Sequence, residues 1–293
     1  MHIDLQIVNA FTLDGSGGNP AGVVLDADGL DKAQKQQVAK VAGLSETAFV
    51  SASEIADFKL EFFTPNRQIA HCGHATVAAF ALLHELGRIN DVETSKETVD
   101  GRREIRLHDG RAYMEQRAPR YEPVADEELL SEILPSLGLG RDALHEAARA
   151  EFVNTGNGFL VIPLRHREQL AAIVPDHALI ETVSERHDLV GFYPFVASDV
   201  SRFHAEARMF APRYGIPEEA ATGMAAGPLA AFLHDRLPRI LDGSKRVRIT
   251  QGGLMDPPSP SEILVDLVTA SGAVTGLMAG GAATVREKRS IAL

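Results

Sequence analysis

The sequence predicts an α+β protein built from two similar halves, each with a sheet wrapped around one buried helix. Two segments, Ala75–Leu83 (ATVAAFALL) and Met224–Leu233 (MAAGPLAAFL), have helical length and are apolar on nearly every side. A helix that is apolar all round is buried all round. Short strand-like segments flank both, without the strand–helix alternation of a doubly wound fold, which favours the α+β class.

The segments that precede the two helices also match. Phe63-Thr64-Pro65 and Phe210-Ala211-Pro212 lie 147 residues apart, and Cys72-Gly73-His74-Ala75 and Thr222-Gly223-Met224-Ala225 lie 150 apart. A strand that ends in Phe-x-Pro, a loop and an x-Gly-x-Ala helix start therefore occur twice. Self-similarity of this kind indicates a duplicated domain.

The remaining elements follow from alternation, capping and turn residues. Asp31 can cap a surface helix that ends before Gly43. Strands are predicted at residues 3–7, 22–25, 47–51, 57–63, 104–107, 113–116, 152–164, 246–250, 262–267 and 282–286. We expect an N-terminal domain over residues 1–120, a C-terminal domain over 121–280 and a terminal strand at 281–293 that can return to the first domain.

Composition excludes several classes of function. A net charge of −11 and a pI of about 5.5, without a cluster of Lys and Arg, argue against nucleic-acid binding. The longest apolar stretches are shorter than the roughly 20 residues of a membrane span, so we expect no membrane association. Cys72 is the one cysteine, which rules out an intramolecular disulfide. These features favour a reducing compartment, most simply the cytoplasm.

The familiar catalytic motifs are incomplete. Gly43-Leu44-Ser45-Glu46-Thr47 departs from a nucleophile elbow at its last position. His71-Cys72-Gly73-His74 holds three metal-binding residue types, yet the second ligand pair of a structural zinc site is missing. We therefore expect no metal and no other cofactor, and we interpret Cys72 as a small buried apolar residue.

Two kinds of residue remain as candidates for chemistry. The helix starts at Gly73 and Gly223 offer N–H groups and positive dipole ends, which suit a carboxylate or an enolate. They could equally be capped ends. Glu46 precedes the apolar run Ala48-Phe49-Val50 and could be a partly desolvated base. On the residues alone, an exposed surface glutamate is the alternative for Glu46.

A family resemblance decides between these alternatives. Together the following blocks, in this order and spacing, resemble the phenazine-biosynthesis (PhzF-like) proteins from about Asn9 to the C-terminus: Gly18-Asn19-Pro20-Ala21, Ser45-Glu46-Thr47-Ala48-Phe49, Thr64-Pro65, Cys72-Gly73-His74-Ala75-Thr76, Arg208-Met209-Phe210-Ala211-Pro212, Thr222-Gly223 and Gln251-Gly252. The resemblance implies the diaminopimelate epimerase-like fold, in which two pseudo-symmetric domains each wrap a barrel-like, mainly antiparallel sheet around a central helix. It also implies a homodimer and an active site between the domains.

The same resemblance implies a cofactor-independent isomerase that moves a proton on a small carboxylate. Glu46 matches the family's base, while His74 and Glu219 match the residues that assist it. The substrate-binding positions implied by the motifs are Asn19, Ser45, Gly73, Thr222, Gly223 and Met224.

Two positions in the block before the second helix depart from the family pattern. Glu219 stands where the family has aspartate, and Met224 stands where it has serine. Thr222 occupies the place of the second cysteine of the epimerases, which excludes two-thiol racemisation. Two other functional interpretations stay open. One is an epimerase that uses Glu46 and Glu219, and the other is a non-catalytic protein that binds a metabolite or another protein.

Overall fold

The computed structural model describes residues 1–90, 92–124, 126–198 and 202–293. Its α-helices are α1 (Lys32–Ala42), α2 (Gly73–Glu85), α3 (Glu127–Ser136), α4 (Arg167–Ala171), α5 (His177–Arg186), α6 (Gly223–Arg236) and α7 (Pro238–Leu241). Its strands are β1 (His2–Ala10), β2 (Asn19–Val24), β3 (Thr47–Ser51), β4 (Phe58–Phe63), β5 (Gln68–Ile69), β6 (Glu93–Thr98), β7 (Gly101–His108), β8 (Arg111–Arg117), β9 (Arg120–Pro123), β10 (Glu151–Asn154), β11 (Gly158–Leu164), β12 (Gly191–Ala197), β13 (Ala205–Ala207), β14 (Met209–Ala211), β15 (Ile216–Glu219), β16 (Arg246–Gln251), β17 (Ser261–Ala270), β18 (Ala273–Gly281) and β19 (Ala283–Ala292).

The chain divides into two compact units, unit 1 with residues 1–115 and 280–293 and unit 2 with residues 116–279. In unit 1, β1 pairs antiparallel with both β2 and β19. Antiparallel pairs also join β3 to β4, β4 to β5, β6 to β7 and β7 to β8. Two pairs are parallel, β2 with β3 and β4 with β6, and the chain between the strands of each pair forms α1 and α2.

Unit 2 has the same arrangement. Antiparallel pairs join β9 to β10, β10 to β11, β12 to β13, β12 to β14, β14 to β15 and β16 to β17. The parallel pairs are β11 with β12, across α4 and α5, and β13 with β16, across α6. In both units a short antiparallel hairpin, β4–β5 or β14–β15, leads into the central helix. The order of elements is thus duplicated along with the sequence motifs.

The two central helices are buried along their length. All residues of α2 from Gly73 to Leu83 are buried, and so are those of α6 from Ala225 to Leu233. Helix α2 packs against β1, β2, β3 and β19, and α6 packs against β10, β11 and β17, so each is covered by strands of its own unit. The sequence prediction of two buried helices is confirmed. Across the described residues, no helix has both the length and the apolar character of a bilayer span.

The structure corrects several local predictions. Strand–helix alternation is present: α1 and the α4–α5 pair are crossovers between parallel strands, although antiparallel pairs predominate. The strand predicted over Phe152–Leu164 is a hairpin of β10 and β11, because Gly156 adopts a φ of +126° that turns the chain. Helix α1 confirms its predicted ends, with Asp31 in a capping box and Gly43 in the left-handed region.

Candidate active site

Glu46 lies immediately before β3, and its backbone is fixed to the neighbouring strand. Its carbonyl accepts a hydrogen bond from the Gly22 N–H of β2 at 3.0 Å. A Cβ on Gly22 would lie 2.8 Å from Thr47 Oγ1, so glycine allows β2 and β3 to approach at this point. The Glu46 residue is only 9% exposed. The alternative of an exposed surface glutamate is therefore wrong.

His74, in the first turn of α2, lies between this carboxylate and a thiol. Its Nε2 is 3.3 Å from Glu46 Oε2, and its Nδ1 is 3.6 Å from Cys72 Sγ. His74 and Cys72 are both buried. A carboxylate and an imidazole at this distance can exchange a proton, and burial strengthens their electrostatic coupling.

Among the described residues, the same three side chains form a group that could hold a metal ion. Single ligand atoms of Glu46, Cys72 and His74 all lie within 4.8 Å of one another. However, the group adjoins the positive end of α2, and the buried amine of Lys96 donates to Thr76 in the same helical turn. This environment favours anions over a divalent cation.

Lys96 in β6 is completely buried and was not identified from the sequence. Its Nζ donates to Thr76 Oγ1 of α2 at 2.6 Å and lies 3.4 Å from His71 Nδ1. Burial lowers the pKa of Lys96 to about 7. The Lys96 charge, burial and the Arg103 charge lower the pKa of His71 to about 3. His71 is therefore neutral at physiological pH.

The start of α6 in unit 2 carries a different set of groups. Thr222 is its N-cap residue, and the Thr222 hydroxyl donates to the Glu219 carboxylate. Gln251 connects this segment to the sheet: its Nε2 donates to the Glu219 carbonyl at 2.7 Å and to Thr222 Oγ1 at 3.1 Å. Its Oε1 accepts from the Thr222 N–H at 3.2 Å and from the buried Tyr193 hydroxyl at 2.9 Å. Burial and the nearby Glu219 raise the pKa of Tyr193, so its phenol stays protonated as a donor.

Glycines allow the backbone to approach closely around α6. Gly252 follows Gln251 at a φ of +79°, and a Cβ there would lie 2.6 Å from the Ala220 carbonyl. Gln116 donates to the Gly223 carbonyl at 2.8 Å and accepts from Thr155 at 2.7 Å. The half-buried Met224 has its Sδ 3.5 Å from Asn157 Nδ2.

Asn19 and Ser45, the other predicted substrate-binding residues, have different environments. Asn19 is buried at the start of β2 opposite Ala10 of β1. A Cβ on the preceding Gly18, which has a φ of +80°, would lie 2.4 Å from the Ala10 carbonyl. Ser45 is exposed in the turn before Glu46. Both residues belong to unit 1, like Glu46, Gly73 and His74.

The structure brings one pair of predicted residues into contact in each unit. Glu46 and His74 are in contact in unit 1, and Glu219 and Thr222 are in contact in unit 2. Sequence reasoning missed Lys96, Tyr193 and the bridging role of Gln251. The Gln-Gly block was a signal for Gln251, whereas neither Lys96 nor Tyr193 stands in a motif.

Comparison with known proteins identifies the family. The family model described as phenazine biosynthesis-like protein matches residues 8–288. The chain belongs to the phenazine biosynthesis-like family. It is 34% identical over 280 residues to the uncharacterized isomerase YddE of Escherichia coli O157:H7, covering 91% of this chain and 93% of the relative. An uncharacterized isomerase of Deinococcus radiodurans is 33% identical over 289 residues, covering 96% and 92% of the two chains.

Solved structures confirm the fold class expected of a phenazine biosynthesis-like protein. The phenazine biosynthesis protein of the PhzF family from Bacillus anthracis superposes with a TM-score of 0.89 at 25% identity, covering 100% of both chains. A hydroxyproline epimerase from Agrobacterium vitis has a TM-score of 0.57 at 14% identity, covering 100% of this chain and 93% of that one. The second likeness concerns the fold alone.

Proposed function

We propose that this phenazine biosynthesis-like protein is a cofactor-independent isomerase that moves a proton between carbons of a small carboxylate. The observation that carries the proposal is the buried pair of Glu46 and His74, with Glu46 Oε2 3.3 Å from His74 Nε2. The relatives named isomerases support the reaction class. A cyclic or unsaturated carboxylate fits best, because conjugation to a carboxylate or a double bond acidifies the C–H bond.

In this proposal Glu46 removes the proton from carbon and redelivers it at another carbon. His74 receives or returns the proton through its Nε2 and keeps the Glu46 carboxylate oriented. The N–H groups at the start of α2, including that of Gly73, hold the substrate carboxylate and stabilise the enolate. General acid–base catalysis contributes about 10²–10⁴-fold, so electrostatic stabilisation of the enolate has to provide much of the remaining acceleration.

The remaining residues receive binding roles in the proposal. Asn19 and Ser45 serve as polar contacts for the substrate. Glu219 positions the substrate or relays a proton, and its hydrogen bond with Thr222 favours positioning. Gly223 and Met224 complete the set, with Met224 providing an apolar contact where the family has a hydroxyl. The homodimer expected from the resemblance remains a prediction that light scattering can check.

An epimerase that uses Glu46 and Glu219 is the second candidate. The observation that favours it is that each central helix start has a glutamate beside it, Glu46 at α2 and Glu219 at α6. An epimerase would incorporate solvent deuterium at one stereocentre without moving a double bond. An isomerase would move the double bond and place deuterium at the new C–H position.

The experiment is a screen of cyclic and unsaturated carboxylates in D₂O, read by NMR and mass spectrometry. We expect at least one compound to gain deuterium with a shifted double bond, and the Glu46→Gln protein to be inactive on that compound. Deuterium at a single inverted stereocentre would instead support the epimerase. Binding of carboxylates without any exchange would contradict both enzymatic candidates and support a metabolite-binding protein.

A further inference from the structure

The buried amine of Lys96 lies directly behind the first turn of α2. Lys96 Nζ donates to Thr76 Oγ1 at 2.6 Å, and Thr76 Oγ1 donates to the Cys72 carbonyl at 2.6 Å. The Thr76 N–H reaches the same carbonyl at 3.3 Å. Cys72 is the residue that begins the turn carrying His74, and its thiol contacts the His74 ring. A continuous line of hydrogen bonds therefore joins β6 to the candidate site.

Other charged or titratable groups surround the Lys96 amine on several elements. His71 contacts it from the loop before α2, while Arg103 of β7, Asp100 of the turn after β6 and Cys72 act on it through their charges. Burial lowers its pKa most; Cys72 and Asp100 oppose the shift and Arg103 adds to it. The Phe62 ring, 5.2 Å from Nζ, provides a cation–π contact on another side.

A second buried lysine in unit 1 provides a contrast. Lys35 of α1 is also buried, but it forms an ion pair with Glu61 of β4. Among the described residues, no carboxylate oxygen lies within ion-pair distance of Lys96 Nζ. Removing a buried charge that lacks a carboxylate partner commonly stabilises a protein, whereas removing one member of a buried ion pair destabilises it. The ion pair with Glu61 makes Lys35 a stabilising residue. Within the described part of the chain, the amine of Lys96 has no carboxylate partner that would offset the cost of burying its charge.

We propose that Lys96 is a positioning residue for the candidate site, which holds the first turn of α2 through Thr76 and so fixes His74 beside Glu46 at some cost in stability. This inference rests on the proposed function of Glu46 and His74. Lys96 touches neither Glu46 nor His74 directly. It acts on the backbone of the residue from which the His74 turn begins.

The test compares Lys96→Met with Lys35→Met, which make the same substitution at two buried lysines. Lys96→Met should unfold at the same or a higher temperature at about pH 6, where the amine is mostly charged. Its turnover should nevertheless fall about tenfold to a hundredfold, because small displacements of catalytic groups have large effects on rate. Lys35→Met should show the reverse, with a lower unfolding temperature and the parent's turnover.

A second pair of variants tests the same line of hydrogen bonds at Thr76. Thr76→Val removes the hydroxyl while keeping the shape, so turnover should fall as in Lys96→Met, and the unfolding temperature should fall because the amine loses its acceptor. Thr76→Ser keeps the hydroxyl and should keep most of the turnover. In the Lys96→Met/Thr76→Val double variant, the loss of turnover should be much smaller than the product of the two single losses.

A readout without turnover separates this inference from the proposed function. The backbone amide NMR signals of Gly73 and His74 should shift in Lys96→Met and Thr76→Val and stay unchanged in Lys35→Met. Unchanged Gly73 and His74 signals in Lys96→Met, or parent turnover in that variant, would overturn the inference.

Discussion

The two central helices begin with matching sequence motifs but carry different chemical groups at their starts. At the start of α2, Cys72-Gly73-His74 brings a thiol and an imidazole beside the buried Glu46 carboxylate. At the start of α6, Thr222-Gly223-Met224 brings a hydroxyl against Glu219 and a thioether near Asn157. The duplicated backbone is retained, whereas the imidazole of His74, a group suited to moving protons near neutral pH, is replaced by the Met224 thioether at the start of α6.

The residues that hold each helix start also differ, with a titratable amine at α2 and a neutral amide at α6. Behind α2 lies Lys96, a titratable amine with a pKa of about 7. At α6 the neutral amide of Gln251 bonds to both Glu219 and Thr222 and accepts from the protonated Tyr193 phenol. Neutral hydrogen bonds of this kind hold geometry over a wide pH range. We therefore propose that unit 1 provides the proton transfer and that unit 2 provides rigid binding.

The largest expected effect is that of Glu46→Gln on the isomerisation rate. The substitution keeps the size of the side chain and removes its capacity to accept a proton. We expect the rate to fall by about 10²–10⁴-fold, with carboxylate binding and thermal unfolding close to those of the parent. A rate within a few fold of the parent value would mean that the base is elsewhere.

His74→Gln should have the next largest effect. Glutamine keeps a polar side chain beside Glu46, but it cannot exchange a proton. We expect a loss of about 10²-fold in turnover and little change in KM, measured by steady-state kinetics. If KM rises and turnover is retained, His74 binds substrate and does not relay the proton.

In unit 2, Gln251→Met should mainly affect stability and binding. The change leaves the buried Tyr193 hydroxyl and the Thr222 N–H without their acceptor. We expect the free energy of unfolding in urea to fall by roughly 2–4 kcal/mol and the affinity for carboxylates to decrease. Tyr193→Phe is the matched control, with a loss of about 1 kcal/mol because the amide loses one of its donors. Equal losses from both variants would show that the Tyr193 bond alone matters.

Stability should depend on pH through His71 and Lys96 in unit 1. Both pKa values lie below those of the unfolded chain, so the unfolded state binds more protons between about pH 3 and 6.5 for His71 and between about pH 7 and 10.5 for Lys96. Stability should therefore rise with pH across both windows. His71→Gln should flatten the acid window in urea titrations, and an unchanged slope would contradict the burial of a neutral His71.

The smallest expected effect is that of Cys72→Ser. Serine keeps a donor near His74 Nδ1, and Cys72 receives no catalytic role in this account. We expect turnover within about threefold of the parent value, in line with the small effects of conservative changes outside the reacting groups. A loss as large as that of Glu46→Gln, with the fold intact, would assign the thiol a direct role in catalysis.

The sequence predicted the features that depend on local pattern. Helices α2 and α6 were recognisable because they are apolar on all sides, and Glu46 was found through its motif. Lys96 was not, because β6 (ETSKET) is polar at every position and gives no sign of which side chains are buried. Tyr193 and Gln251 are 58 residues apart, so their contact depends on the pairing of strands and not on local sequence. Helix α5 was missed although Asp176 caps it, since its apolar positions are few.

In the proposed function, Glu46 is the base and Glu219 is not an equivalent second base. The most direct measurement is deuterium incorporation from D₂O into a saturating substrate, followed by mass spectrometry for Glu46→Gln and Glu219→Gln side by side. We expect Glu46→Gln to incorporate no deuterium, and we expect Glu219→Gln to incorporate it at a rate within about tenfold of the parent. Incorporation by Glu46→Gln at the parent rate, or complete loss in Glu219→Gln with substrate still bound, would contradict the proposal.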